Sequence, residues 1–148
     1  MIRVAGAALL ACACAAAALP AFDWYSAETP AGRVGASGFG VSGVLWLVPV
    51  VAAAMAVAGA ALLAAGPDRR VRVARWAGPA AFAAALLVIA ATLWVGVDGD
   101  VRLVAAGEEV AGPIAVAVDR EPAGLLCAVA GMVAGAIAWA VSALAWRA

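Results

Sequence analysis

The sequence predicts an all-α membrane protein: a four-transmembrane-helix bundle with both termini cytoplasmic and a small extracytoplasmic β element from the two outer loops. Three observations predict it. Four long apolar blocks, about 4–22, 44–65, 77–97 and 122–146, contain no Asp, Glu or Arg. At ~1.5 Å of rise per residue, each crosses or nearly crosses a hydrocarbon core of ~30 Å. Of 148 residues, 68% are hydrophobic and 12% charged, a balance foreign to soluble domains. The mean hydropathy is +1.10.

The third observation is where the Arg residues sit. With a cytoplasmic N-terminus, the inner side carries Arg3, Arg69, Arg70, Arg72, Arg75 and Arg147 against one acid, Asp68. The outer side carries Arg33, Arg102 and Arg120 against Asp23, Glu28, Asp98, Asp100, Glu108, Glu109, Asp119 and Glu121. Basic residues concentrate on the cytoplasmic side of inserted helices, so six inner Arg against three outer ones set this orientation. The formal net charge of zero therefore hides a strong dipole. The aromatic residues agree. Trp24 and Tyr25 follow the first span and Trp46 opens the second; Trp76 and Trp94 bracket the third, and Trp146 closes the fourth. Such rings prefer the headgroup layer. The chain thus reads as one four-span domain, 1–148, with outer loops 23–43 and 98–121.

All the basic residues are Arg, and the apolar ones are mostly Ala, Val and Leu, with abundant Gly. That bias suggests a GC-rich coding sequence of bacterial, actinobacterial type, and hence a multi-pass protein of the bacterial cell membrane. The first span is Ala-dominated and resembles an export signal. Leu9-Leu10-Ala11-Cys12 is a loose lipobox, but only eight apolar residues precede the Cys and Leu suits its position poorly. An uncleaved first helix is expected.

The first outer loop holds Gly35, Gly38, Gly40 and Gly43, which suit tight turns. It lacks the Lys-Ser/Thr that a phosphate-cradling loop needs. Short extended pieces are expected around Val34 and Phe39–Val41. In the second span Pro49 is expected to bend the helix near its outer end. In the second outer loop, Val101, Leu103 and Val104, then Ile114, Val116 and Val118, flank a centre with Gly107, Gly112 and Pro113. This predicts a β-hairpin that pairs with the first loop. Its acids do not have the spacing of a Ca²⁺ loop and read as a solvated surface.

Chemistry is limited by what the chain contains. There is no His, which removes His-based triads and zinc sites. The spans hold no carboxylate to carry a proton, as a small exchanger would need. Cys12 and Cys14 are two residues apart on a helix and face different ways, and Cys127 lies within the fourth span, so all three read as small buried hydrophobes. No catalytic residue, cofactor or metal ligand is assigned, and no nucleic-acid partner is expected.

Two sets of residues remain. Gly131 and Gly135 are four apart in the fourth span, with Gly124 on nearly the same face. Small residues let helix backbones approach in lipid, where no hydrophobic drive joins helices, so these three are the helix-packing candidates. Other small-residue series exist, such as Ala52, Ala56 and Ala60. Arg69, Arg70, Arg72 and Arg75 lie within seven residues of the inner connector. They pin the topology, and contact with anionic lipid follows from that position.

The run LPAFDWYSAETP, then VSGVLWLVPVVAAAMAVAGAALLAA, the Arg-rich turn and EPAGLLCAVAGMVAGAIAW resemble small four-helix actinobacterial membrane proteins. Among these is the tryptophan-operon-associated conserved membrane protein family. The likeness covers most of the chain and rests on hydropathy order and on Leu-Pro, Ser-Gly and Gly-rich turns. It implies a four-span fold and transfers no activity, so no residue inherits a role. The topology is also similar to claudin-like tetraspans, but the Trp-Gly-Leu-Trp and paired-Cys signature is missing, so that likeness is one of shape. The expected function is therefore that of a non-catalytic structural or accessory subunit, with the lipid bilayer and a membrane-protein partner as its contacts. The alternative is a transporter or channel-like unit acting as a homo-oligomer.

Overall fold

A computed structural model of the chain describes residues 2–29, 32–111 and 118–147. Among them, four helical segments are long and apolar enough to cross a membrane: Ile2–Ala21, Gly43–Ala64, Pro67–Val95 and Pro122–Arg147. Helix α1 covers Ile2–Ala18 and tightens into a 3₁₀ turn at Leu19–Ala21, opened by Pro20. Two strands follow, β1 (Asp23–Thr29) and β2 (Gly32–Ser37), then the single-turn helix α2 (Gly38–Val41). A 3₁₀ turn, Gly43–Trp46, leads into α3, Leu47–Ala64. Helix α4 runs Arg70–Ala111, strand β3 is Val118–Arg120, and α5 is Pro122–Arg147. Proline opens α5 at the position where a helix needs no N–H donor.

The helices close a ring in which α1 packs on α3, α3 on α4, α4 on α5, and α5 back on α1. Their interior is mostly alanine: Ala13, Ala16, Ala52, Ala81, Ala85, Ala134 and Ala138 are all buried, around Leu9, Leu45, Met55, Leu62 and Val88. The larger side chains point outward, among them Leu86, Leu87, Leu93, Leu125, Leu126 and Trp139. In water this arrangement would expose a large apolar surface and aggregate. In lipid it is the favourable one, because small residues inside let helices approach while large apolar ones meet acyl chains.

Two expectations are corrected. The hairpin predicted over 98–121 does not form, because Val101, Leu103 and Val104 belong to α4, 42 residues long. A running helix needs no new nucleus and gains a hydrogen bond with each residue added. The Ala and Glu residues at 105–109 favour that extension over the strand suggested by alternating Val and Leu. The helix is described as far as Ala111, just before Gly112 and Pro113. Ile114 and Val116 lie outside the described residues, and only Val118 enters a strand. Phe39–Val41 is helical rather than extended, because the Ser37 hydroxyl caps α2 by accepting from the Gly40 N–H at 3.3 Å. Pro49 falls in the first turn of α3, just after the 3₁₀ turn that leads into it.

The strands form a three-stranded antiparallel sheet in the order β2-β1-β3, built from both loops. Gly32, at φ +122°, completes the β1–β2 reversal opposite Thr29. The register shifts between Asp23 and Tyr25, which makes Trp24 the extra residue of a bulge. Strand alternation would send Trp24 and Tyr25 to opposite faces, yet both are buried. They were expected as headgroup anchors; instead they pin the sheet to the bundle. Trp46, Trp76, Trp94, Trp139 and Trp146 are the exposed tryptophans.

Candidate functional site

The two ends of the bundle differ in chemistry. At the sheet end, the Trp24 Nε1–H donates to the Leu19 carbonyl at 3.0 Å, and the Tyr25 hydroxyl reaches the Val95 carbonyl at 3.4 Å. The first acceptor lies in the 3₁₀ turn that ends the first span, and the second lies within α4. The Glu121 N–H donates to the Trp24 carbonyl at 2.8 Å and continues the pairing of β1 with β3. Above it, the Ser26 hydroxyl donates to Glu121 Oε1 at 2.6 Å. Arg33 donates to Ser26 Oγ at 2.9 Å and forms an ion pair with Glu121. The Ser26 hydrogen bond, and then the Arg33 charge, hold the Glu121 carboxyl below its ordinary range against the opposing effect of desolvation. Ser26 and Arg33 come from β1 and β2 and Glu121 from the link between β3 and α5, so no sequence spacing could reveal the cluster.

At the other end lie the inner-connector arginines, and the structure divides them. Arg70 Nε donates to the Ala65 carbonyl at 3.1 Å, closing the end of α3. Arg75 Nε donates to the Ala145 carbonyl at 3.0 Å, and its guanidinium lies 5.6 Å from the centre of the Trp146 ring. These two satisfy C-terminal helix carbonyls. Arg69 and Arg72 are exposed and have no partner among the described residues. Arg3 and Arg147 are exposed at this same end.

The glycine candidates also separate. A Cβ at Gly131 would stand 3.0 Å from Ile89 Cγ1 and 3.3 Å from Val88 Cγ1, so this glycine sits tightly against α4. Gly135 faces α4 more loosely, its Cβ meeting Ala85 Cβ at 3.6 Å. Gly124 does not meet a helix: its neighbour is the Trp24 ring, 3.1 Å from a would-be Cβ. The closest backbone approach involves residues that sequence reasoning passed over. A Cβ on Gly59 would lie 2.8 Å from the Gly6 carbonyl oxygen, and one on Gly6 would lie 2.8 Å from the Gly59 oxygen. The Cα hydrogens there point at each other's carbonyls across the α1–α3 seam, a weak-bond geometry known at helix interfaces. Gly78 is a third such site, facing Ser142 and the Ala138 carbonyl.

Neither pair belongs to a repeat within one helix. One signal was present, a glycine in each of two adjacent spans. Helix rotation alone decides whether such glycines meet.

The chain matches no family model, no curated protein and no solved structure. What the arrangement can do must therefore be read from its own groups. Cys127 is buried, its Sγ 3.9 Å from the Ala16 carbonyl, and Cys12 is half-buried. Cys14 is exposed on α1, which corrects its reading as a buried residue: a position with no helix beside it faces outward whatever its polarity. Among the described residues, no three His, Cys, Asp or Glu side chains gather where a metal ion would sit.

Proposed function

We propose that this chain is a non-catalytic integral membrane protein that serves as a structural or accessory subunit of a larger membrane complex. The observation that carries the proposal is the sheet. Three strands cap one end of the bundle and are pinned to it by Trp24 and Tyr25, while Arg33 and Glu121 form an ion pair over it. A rigid polar platform on a bundle whose interior is close-packed alanine suits docking better than turnover.

In this reading both termini and the Arg69–Arg75 turn lie in the cytoplasm, and the sheet lies outside a bacterial cell membrane. The support is the gathering of Arg3, Arg69, Arg70, Arg72, Arg75 and Arg147 at one end. The Arg side then faces anionic headgroups, at about 1 kcal/mol per Arg near the surface. Kinship with the small four-helix actinobacterial proteins is part of the same proposal and rests on the quoted motifs.

Purification of the tagged protein in mild detergent tests the role. Foreign subunits in fixed stoichiometry are expected. A pure homo-oligomer that conducts solute in liposomes would replace this reading with the transporter one. Topology is tested separately by single cysteines at Val71 and Gly107 in a chain lacking the three native thiols. An impermeant maleimide added to intact cells should label position 107 and spare position 71; the reverse pattern inverts the orientation.

A further inference from the structure

Two apolar grooves lie along the α3–α4 seam, one toward each end, and they differ in a single respect. The groove at the sheet end, of about 430 Å³, is lined by Leu47, Val51, Leu87, Ala91 and Trp94 among others, with no charged residue in its wall. The groove at the basic end, of about 470 Å³, is lined by Val57, Ala61, Val73 and Ala80, and its wall also carries Arg72 and Trp76. Along α4, residues 72–80 cover roughly 12 Å at the helical rise, most of the depth of one leaflet of a ~30 Å core. Arg72 and Trp76 are one turn apart on the same face, and Arg69 precedes Arg72 by three residues.

We propose that this groove is a binding site for one anionic phospholipid. An acyl chain lies between α3 and α4 along Ala61, Ala80 and Val57. Trp76, 80% exposed, sits beside the glycerol esters, where an amphipathic ring is favoured. The phosphate is met by Arg72 and Arg69, whose guanidiniums are exposed and have no partner among the described residues. Charge complementarity selects the occupant: a neutral lipid would fill the apolar channel equally well but leave both cations unmatched. Arg70 and Arg75 do not line the groove, and each is oriented by the bond from its Nε–H to a helix carbonyl. Asp68, the acid at this end, is exposed and makes no ion pair with either arginine. The inference needs this end of the bundle to lie in a headgroup layer, and it is independent of the accessory role.

The test is lipid retention by the purified full-length chain. The protein in neutral detergent is incubated with equal amounts of phosphatidylglycerol and phosphatidylcholine of identical acyl chains, re-isolated, and its bound lipid quantified. The wild type should retain phosphatidylglycerol in preference. Arg72→Gln should lower that preference about fivefold, and Arg69→Gln with Arg72→Gln further. Arg147→Gln removes the same charge from the same end outside the groove and should leave the preference intact. Ala61→Leu fills the channel without altering charge and should reduce retention of both lipids. If Arg147→Gln acts as strongly as Arg72→Gln, the selectivity is diffuse and the site is refuted. If glycerophosphoglycerol, the headgroup without chains, competes as well as the whole lipid, the groove takes no chain and the occupant is a free phosphodiester, which also overturns the proposal. Thermal melting of each variant separates lost binding from lost folding, and the comparison uses those that melt as the wild type does.

Discussion

The α1–α3 and α4–α5 seams both bring glycine against a neighbouring helix, but by different means. On α4–α5, Gly131 faces the side chains of Ile89 and Val88, and Gly135 faces the Ala85 methyl. On α1–α3, Gly6 and Gly59 face each other's backbone. A side chain can change rotamer when crowded, whereas a helix carbonyl moves only if its whole helix does. The seam without a glycine repeat is therefore the less tolerant one, and the spaced pair Gly131 and Gly135 is the more forgiving. Spacing on one helix shows which residues share a face. It does not show how close the opposing backbone comes.

The largest effect is expected at Gly59. Even Gly59→Ala should cost about 1–3 kcal/mol and Gly59→Leu more, because a Cβ would press on the Gly6 carbonyl oxygen. Thermal melting in detergent measures it; a Gly59→Ala protein that melts with the wild type would erase the contrast between seams. Next comes Gly131→Leu, expected to lose about 1–2 kcal/mol as Ile89 and Val88 give way. A loss equal to that of Gly59→Leu would mean that side chains yield no more readily here than backbone.

Gly78→Ala sharpens the comparison, since the nearest atom is the Ser142 hydroxyl, buried with no hydrogen-bond partner among the described residues, while the Ser142 N and the Ala138 carbonyl oxygen stand a little farther off at 3.1 and 3.2 Å. The substitution should destabilise, and adding Ser142→Ala should recover part of the loss, with a coupling of about 0.5–2 kcal/mol in a double-mutant cycle. Strict additivity would show that the clash is with the backbone of α5 instead. The smallest change belongs to Gly135→Ala. Its Cβ would meet Ala85 at ordinary contact distance, and the gain in helix propensity opposes any crowding, so melting should stay within about 0.5 kcal/mol of wild type. A large loss there would restore Gly135 to the tight seam.

Legibility followed the range of the interaction. The four spans are local facts: an apolar block must form a helix in lipid, since every backbone N–H and C=O has to be satisfied within the segment. The third helix shows where that reasoning ends. Its apolar part is readable, yet Val101, Leu103 and Val104 read as one side of a hairpin about a turn-rich centre, whereas α4 continues through them to Ala111. Once the charges begin at Asp98 the membrane no longer dictates conformation, and a neighbouring helix that is already formed outweighs local pattern. The sheet was legible only in kind. That the two loops pair could be anticipated, but the bulge at Trp24 and the meeting of Ser26, Arg33 and Glu121 depend on register.

The sequence by itself determined that the chain has four membrane-crossing helices and which termini and turns share the Arg-rich end, because hydropathy and charge act residue by residue against a fixed slab. Only the tertiary structure decided what each of those residues does. The rotation and depth of each helix bring Gly6 onto Gly59 rather than onto an alanine, tie Arg70 and Arg75 to carbonyls, and leave Arg72 in the wall of an apolar groove. Rotation costs a lone helix nothing in lipid, so it has no signature in one span's sequence; it is set by the packing of all four helices at once.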